Sequence, residues 1–68
     1  MPNGIPRRVS GFDLQSRRRR AGLTQQDVAG FLRVSRRRVS AIEGARRPTP
    51  EAVARYVLAL EFLARESA

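Results

Sequence analysis

GLTQQDVAGFLRVSRRRVSAIEG, residues Gly22–Gly44, reads as two short helices joined by a tight corner, the second opening with three arginines. Thr24 is placed to cap a helix that carries Val28, Ala29 and Leu32 on one face. Ser35, eleven positions on, is placed to cap a second helix that turns Val39 and Ile42 inward. Two capping residues, each followed by a short apolar pattern of period 3.6, describe a helix-turn-helix over residues 24–43. The second helix then offers a cationic outer face of a size that fits a DNA major groove.

The rest of the chain extends this pattern. Helix 1 is expected from about Phe12 to Ala21, with Ser10 or Gly11 at its start and Gly22 ending it in a left-handed turn. Helix 2 is expected over Gln25–Leu32 and helix 3 over Arg36–Glu43, followed by a basic loop, GARRPT, at residues 44–49. Thr49 precedes Pro50, a favoured first helical residue, and the segment from Pro50 contains no glycine and no further proline. It reads as one long helix over residues 50–66, or as two pieces, so the fold expected is all-α with four to five helices. Val53, Tyr56, Val57, Leu60 and Leu63 share one sector of that helix and should face the core. Leu58 and Phe62 fall nearly opposite, one turn apart. They are candidates for a dimer or partner face, for packing against the N-terminal arm, or for single exposed side chains.

Charge sharpens the reading. The chain has 68 residues and a net charge of +8. Residues 1–49 hold twelve arginines against Asp13, Asp27 and Glu43, a balance of +9; residues 50–68 balance at −1. One part is suited to a polyanion and the other is not. All fourteen basic residues are arginine. That suits bidentate phosphate and guanine contacts, and it is equally what a GC-rich genome would supply. Residues 1–10, with two prolines and a glycine, are expected to be a flexible basic arm ahead of a domain at residues 11–68, and Arg7 and Arg8 in it are placed to reach a neighbouring groove.

Several function classes are disfavoured. With no cysteine and no histidine, neither a disulfide framework nor an ordinary zinc site is expected, and no cofactor is called for. Six carboxylates without a paired-acid arrangement, and no glycine-rich phosphate loop, give no catalytic constellation or small-molecule substrate site, so the protein is not expected to be an enzyme. No apolar run approaches the roughly 20 residues that cross a bilayer, and the N-terminus lacks the apolar region of a signal peptide. A cytoplasmic protein without a membrane partner is expected. A core this small buries only about 60% of the unfolded chain's surface, so each buried side chain counts.

The segment Leu14–Pro48 resembles the phage lambda repressor and Cro-type helix-turn-helix family, the XRE family. The residues that carry the resemblance are Leu23–Gln25, Ala29, Val34–Ser35, Val39–Ser40, Ile42–Glu43 and Pro48, in that order and at the family's spacing. Ala29 stands where the two helices of the motif cross and a larger side chain would clash. Leu14, Leu23, Val28, Leu32, Val34, Val39 and Ile42 are expected to be structural. The resemblance implies an internal salt bridge between Arg18 and Glu43, whose breakage costs about 3–5 kcal/mol if it is buried.

It also implies the binding surface. On the helix 3 wheel Arg37, Ser40 and Ala41 point away from Val39 and Ile42, and Arg36 and Arg38 flank them. Family positions matching Arg36, Arg37 and Ala41 commonly meet base edges, so Arg36, Arg37, Ser40 and Ala41 are the candidate base readers. Candidate phosphate contacts are Gln25, Gln26, Ser35, Arg38, Arg46 and Arg47. In the family the glutamine matching Gln25 contacts the backbone of DNA and braces the first residue of the recognition helix. Five features temper the match, among them Gly30, which weakens helix 2 by about 1 kcal/mol relative to alanine. Arg33 occupies a corner that usually holds glycine, at a cost near 1 kcal/mol if φ is positive. Ala45 stands where a glycine is common, Phe31 sits at the edge of the core face, and the last helix lacks the usual break.

Together these features imply a sequence-specific reader of double-stranded DNA. The form expected is a repressor or Cro-like regulator acting as a homodimer on a two-fold operator. The alternative is an antitoxin or adaptor that binds a protein partner through Leu58 and Phe62, with DNA binding secondary.

Overall fold

A computed structural model describes residues 9–67 of the chain. Arg7, Arg8 and most of the expected arm lie outside the described residues. Four helices follow one another: α1 (Gly11–Arg20), α2 (Gln25–Leu32), α3 (Arg36–Gly44) and α4 (Pro50–Ser67). The last segment is therefore one unbroken helix of 18 residues.

Each helix begins where a hydroxyl can take up a free backbone N–H. Ser10 Oγ accepts from the Asp13 N–H, and the Asp13 carboxylate accepts in return from the Ser10 N–H at 3.0 Å. Thr24 and Asp27 repeat this reciprocal box at the start of α2. Ser35 Oγ accepts from the Arg38 N–H, and Thr49 Oγ1 from the Ala52 N–H. Such caps contribute about 1 kcal/mol each, a large share of the stability of so short a chain. The acid at the front of α1 (Asp13) and the four arginines in its last turn also suit the helix dipole.

The corners use two left-handed residues. Gly22 closes α1 at φ 75 and Arg33 closes α2 at φ 58, where the Val34 N–H bonds back to the Ala29 carbonyl. An arginine held there carries a Cβ against the following carbonyl that a glycine would not. Ala45, by contrast, ends α3 in extended backbone, so a glycine is not required.

The apolar faces meet in one core of Leu14, Leu23, Val28, Ala29, Leu32, Val39, Tyr56, Ala59 and Leu60. Val34, Ile42, Val53, Val57 and Leu63 pack against it half-buried, as does Phe31. Ala59 belongs to this core too, beside the larger inward side chains Tyr56 and Leu60 of α4. Helix α4 packs on α2 and α1, and α3 packs on the same two helices from another side. At the join of α1 and α3 the chain comes very close to itself. The Gly11 N–H bonds to the Ala45 carbonyl at 2.8 Å, and a Cβ at Gly11 would collide with the backbone oxygens of Ile42 and Glu43. Gly11 is thus a contact residue, not only a helix start.

Candidate nucleic-acid interface

The surface is built on α3 and oriented from beneath by Glu43. One turn of helix separates Val39 from Glu43, and both are buried, so the inner face of α3 has an apolar half and an acidic half. The Glu43 carboxylate receives Arg18 of α1 in a bidentate pair, Nε to Oε2 at 2.7 Å and Nη2 to Oε1 at 3.2 Å. Gln25 of α2 donates its amide to Oε1 at 2.9 Å, and the Tyr56 hydroxyl of α4 donates to Oε2. Arg18 spends its remaining arm on the Leu23 carbonyl at 2.8 Å. One carboxylate therefore ties α3 to each of the other three helices. Among the described residues no buried side-chain nitrogen or oxygen lacks a partner.

That saturation decides the electrostatics. Burial opposes ionisation of Glu43, yet the hydrogen bonds from Arg18, Tyr56 and Gln25 outweigh it and hold the carboxyl below its ordinary value. The hydrogen bond to Glu43 raises Arg18, against the opposing effect of burial. Burial first, then the bond to the Glu43 carboxylate, pushes the Tyr56 phenol well up. The group is a charged pair kept in place by neutral donors on either side. A buried charge needs this arrangement to be tolerated.

The sequence-derived candidates fall into three sets. Arg36, Arg37, Arg38, Ser40 and Ala41 are all exposed on α3, with Ser35 exposed at its cap. Arg36 is not free of the scaffold, because its Nη1 donates to Gln25 Oε1 at 3.3 Å. Gln25 therefore bridges Glu43 and Arg36, and connects the buried pair to the first side chain of α3. Each end of its amide keeps one unused hydrogen-bonding position, whereas Gln26 is exposed next to it. Arg38 and Arg47 line one shallow cleft together with Ala41, Pro48 and Thr49. Arg46 is exposed in the same loop but does not line that cleft. Leu58 and Phe62 are exposed on α4, at 57% and 43%. The Phe62 ring also packs on Phe31 of α2, with centroids 5.0 Å apart. Phe12, exposed on α1, was not singled out by periodicity because its helix is otherwise too polar to define a face.

Tyr56 is the residue of this network that the sequence did not mark. It is the single tyrosine of the chain and lies among the inward residues of α4. A buried tyrosine usually brings its hydroxyl to a partner, and that is the signal that would have found it. Among the described residues no three metal-ligating groups cluster, and no helix is long and apolar enough to cross a membrane.

The profile of a family described as a helix-turn-helix domain matches residues 11–67, more than four-fifths of the chain. The chain belongs to that family. This is a DNA-binding class of domain, typically without enzymatic activity, and DNA is the partner it takes. Neither a curated protein nor a solved structure gives a significant match.

Proposed function

We propose that the chain is a sequence-specific reader of double-stranded DNA of the lambda repressor and Cro (XRE) type. It acts as a small transcriptional regulator in the cytoplasm, binding a two-fold operator as a homodimer and excluding polymerase by occupancy. In this reading residues 11–68 are the binding unit and residues 1–10 a basic arm. What supports it is the exposed outer face of α3, cationic at its entrance and held from inside by Glu43.

The roles follow from position. Arg37, Ser40 and Ala41 project from the middle of that face and meet base edges, with Arg36 beside them, steadied by Gln25. A bidentate arginine contact to guanine O6 and N7 is worth about 1–3 kcal/mol of discrimination, and the Ala41 methyl suits a thymine methyl. Gln25, Gln26 and Ser35 at the helix entrances, Arg38 and Arg47 at the shallow cleft, and Arg46 beside Arg47 in the loop after α3, take phosphates. Arg18 with Glu43 is the structural pair.

Selection of bound sequences from random DNA tests the reading. A two-fold consensus with half-sites about 34 Å apart is expected. A salt titration on selected and scrambled duplexes gives the complement. Both lose affinity with salt, but a reader keeps a preference of about 10³-fold or more. Equal binding to both duplexes would reduce the protein to a nonspecific polycation. One observation favours a second reading, the exposed Leu58 and Phe62: an adaptor or antitoxin that docks a protein there. Sizing the chain with and without co-expressed neighbours separates the two.

A further inference from the structure

The exposed stripe of α4 carries more than two apolar side chains. Taking 100° per residue, Glu51, Ala54, Arg55, Leu58, Glu61, Phe62 and Arg65 fall within about 60° of Leu58. All seven are exposed. Glu51, Arg55, Leu58, Phe62 and Arg65 follow one another at alternating steps of four and three, the spacing of a helix–helix seam, with Ala54 and Glu61 beside them. Along the seam the charges run Glu51 negative, Arg55 positive, Glu61 negative, Arg65 positive, with Leu58 at the centre.

That order has a symmetry of its own. Arg55 and Glu61 stand three residues either side of Leu58, Ala54 and Phe62 four, Glu51 and Arg65 seven. At each charged step the two sides carry opposite signs. A two-fold axis through Leu58 therefore sets Arg55 against Glu61 of a second copy and Glu51 against Arg65 of that copy, each pair twice. The small Ala54 then faces the large Phe62 ring, whose back is supported by Phe31. Parallel pairing would set every charge against its own kind.

The same glutamates and arginines also have the spacing of pairs within one helix, Glu51 with Arg55 and Glu61 with Arg65. Neither pair closes: among the described residues Arg18–Glu43 is the ion pair within 4.0 Å. The four charges are left for a neighbour.

We propose that α4 is the homodimer seam, pairing antiparallel with α4 of a second copy of this chain about a two-fold axis at Leu58. The inference rests on the dimeric form of the function above and supplies its partner surface. The seam spans about 21 Å. At a crossing angle near 20° even the outer pairs, about 10.5 Å from the axis, stay within reach of a glutamate and an arginine. Apolar burial at Leu58 and Phe62 drives association, and the charges choose the orientation.

Sedimentation equilibrium of the full chain without DNA tests it, with helicity followed by circular dichroism. The wild type should dimerise with concentration. Arg55→Glu should weaken the dimer by about tenfold or more, since symmetry places the repulsion twice, and Arg55→Glu/Glu61→Arg should restore it. The chain has no cysteine, so orientation can be read by oxidation. Leu58→Cys should link two copies, while Glu51→Cys, about 21 Å from its own copy in the antiparallel pair, should not. A wild type monomeric at every concentration overturns the proposal and gives the stripe to a different protein. So does a charge reversal without effect or rescue, or equal linking at positions 51 and 58. DNA binding is measured on a separate half-site duplex. A monomer that binds it sinks the seam and leaves the DNA reading standing; a dimer that ignores it does the reverse.

Discussion

Replacing Tyr56 with phenylalanine removes one oxygen and leaves the ring, its burial and its neighbours in place. Tyr56 is fully buried and its hydroxyl donates to the Glu43 carboxylate. A hydrogen bond to a charged acceptor contributes about 1.5–3 kcal/mol. A domain of this size has a total stability of roughly 3–9 kcal/mol, so the variant should fold with a clear deficit. Glu43→Ala is a poorer probe, because stranding Arg18 costs about 3–5 kcal/mol and threatens the fold itself. At about 4–8 °C per kcal/mol, Tyr56→Phe should lower the melting temperature by roughly 6–24 °C. The pH profile is the more specific readout. Glu43 titrates below its ordinary value of 4.5, so its contribution is complete above that pH and is lost as pH falls through the lowered value. Tyr56 titrates above its ordinary value of 10.0, so its contribution is complete below that pH and is lost as pH rises through the raised value. The wild type should therefore be most stable between those limits. Without its Tyr56 donor Glu43 moves back toward the ordinary range, so the acid loss in the variant should be smaller and end at higher pH, and the alkaline loss due to Tyr56 should vanish. Urea unfolding followed by circular dichroism across the pH range measures both. A deficit below about 0.5 kcal/mol with an unmoved acid limb would refute the assignment of Glu43 as the junction of the four helices.

Three further outcomes are expected. Arg33→Gly relieves an exposed left-handed arginine and should raise stability by up to about 1 kcal/mol in the same unfolding assay; a loss would mean the arginine side chain contributes more than its backbone strain costs. Gly11→Ala should lower stability by about 1–3 kcal/mol, because its Cβ meets backbone oxygens that cannot rotate aside, and unchanged urea unfolding would show that α1 and α3 do not meet closely at Gly11. Arg37→Ala should relax preference at one base pair, whereas Arg47→Ala should weaken all sequences alike and flatten the salt slope; identical behaviour in fluorescence titrations would erase the division between reader and anchor.

The order and type of the helices were legible along the chain because they depend on neighbours within four positions. Ser10, Thr24, Ser35 and Thr49 each mark a start by bonding three residues ahead, and an apolar period of 3.6 marks the inward faces. Composition likewise separated the basic part from the acidic one, since charge adds up without regard to fold. The outer face of α3 was readable for the same local reason: once Val39 points inward, Arg37 and Ala41 must point out.

Tertiary structure decided what meets across helices. That Tyr56 and Gln25 join Arg18 on Glu43 depends on how α1, α2 and α4 converge, over separations of 13 to 25 residues that no periodicity records. The contact of Gly11 with the end of α3 and the tilted packing of Phe31 on Phe62 are of the same kind. A side chain's direction follows from its own helix, but its partner follows from the packing of several, and only the packed chain brings those donors to one carboxylate.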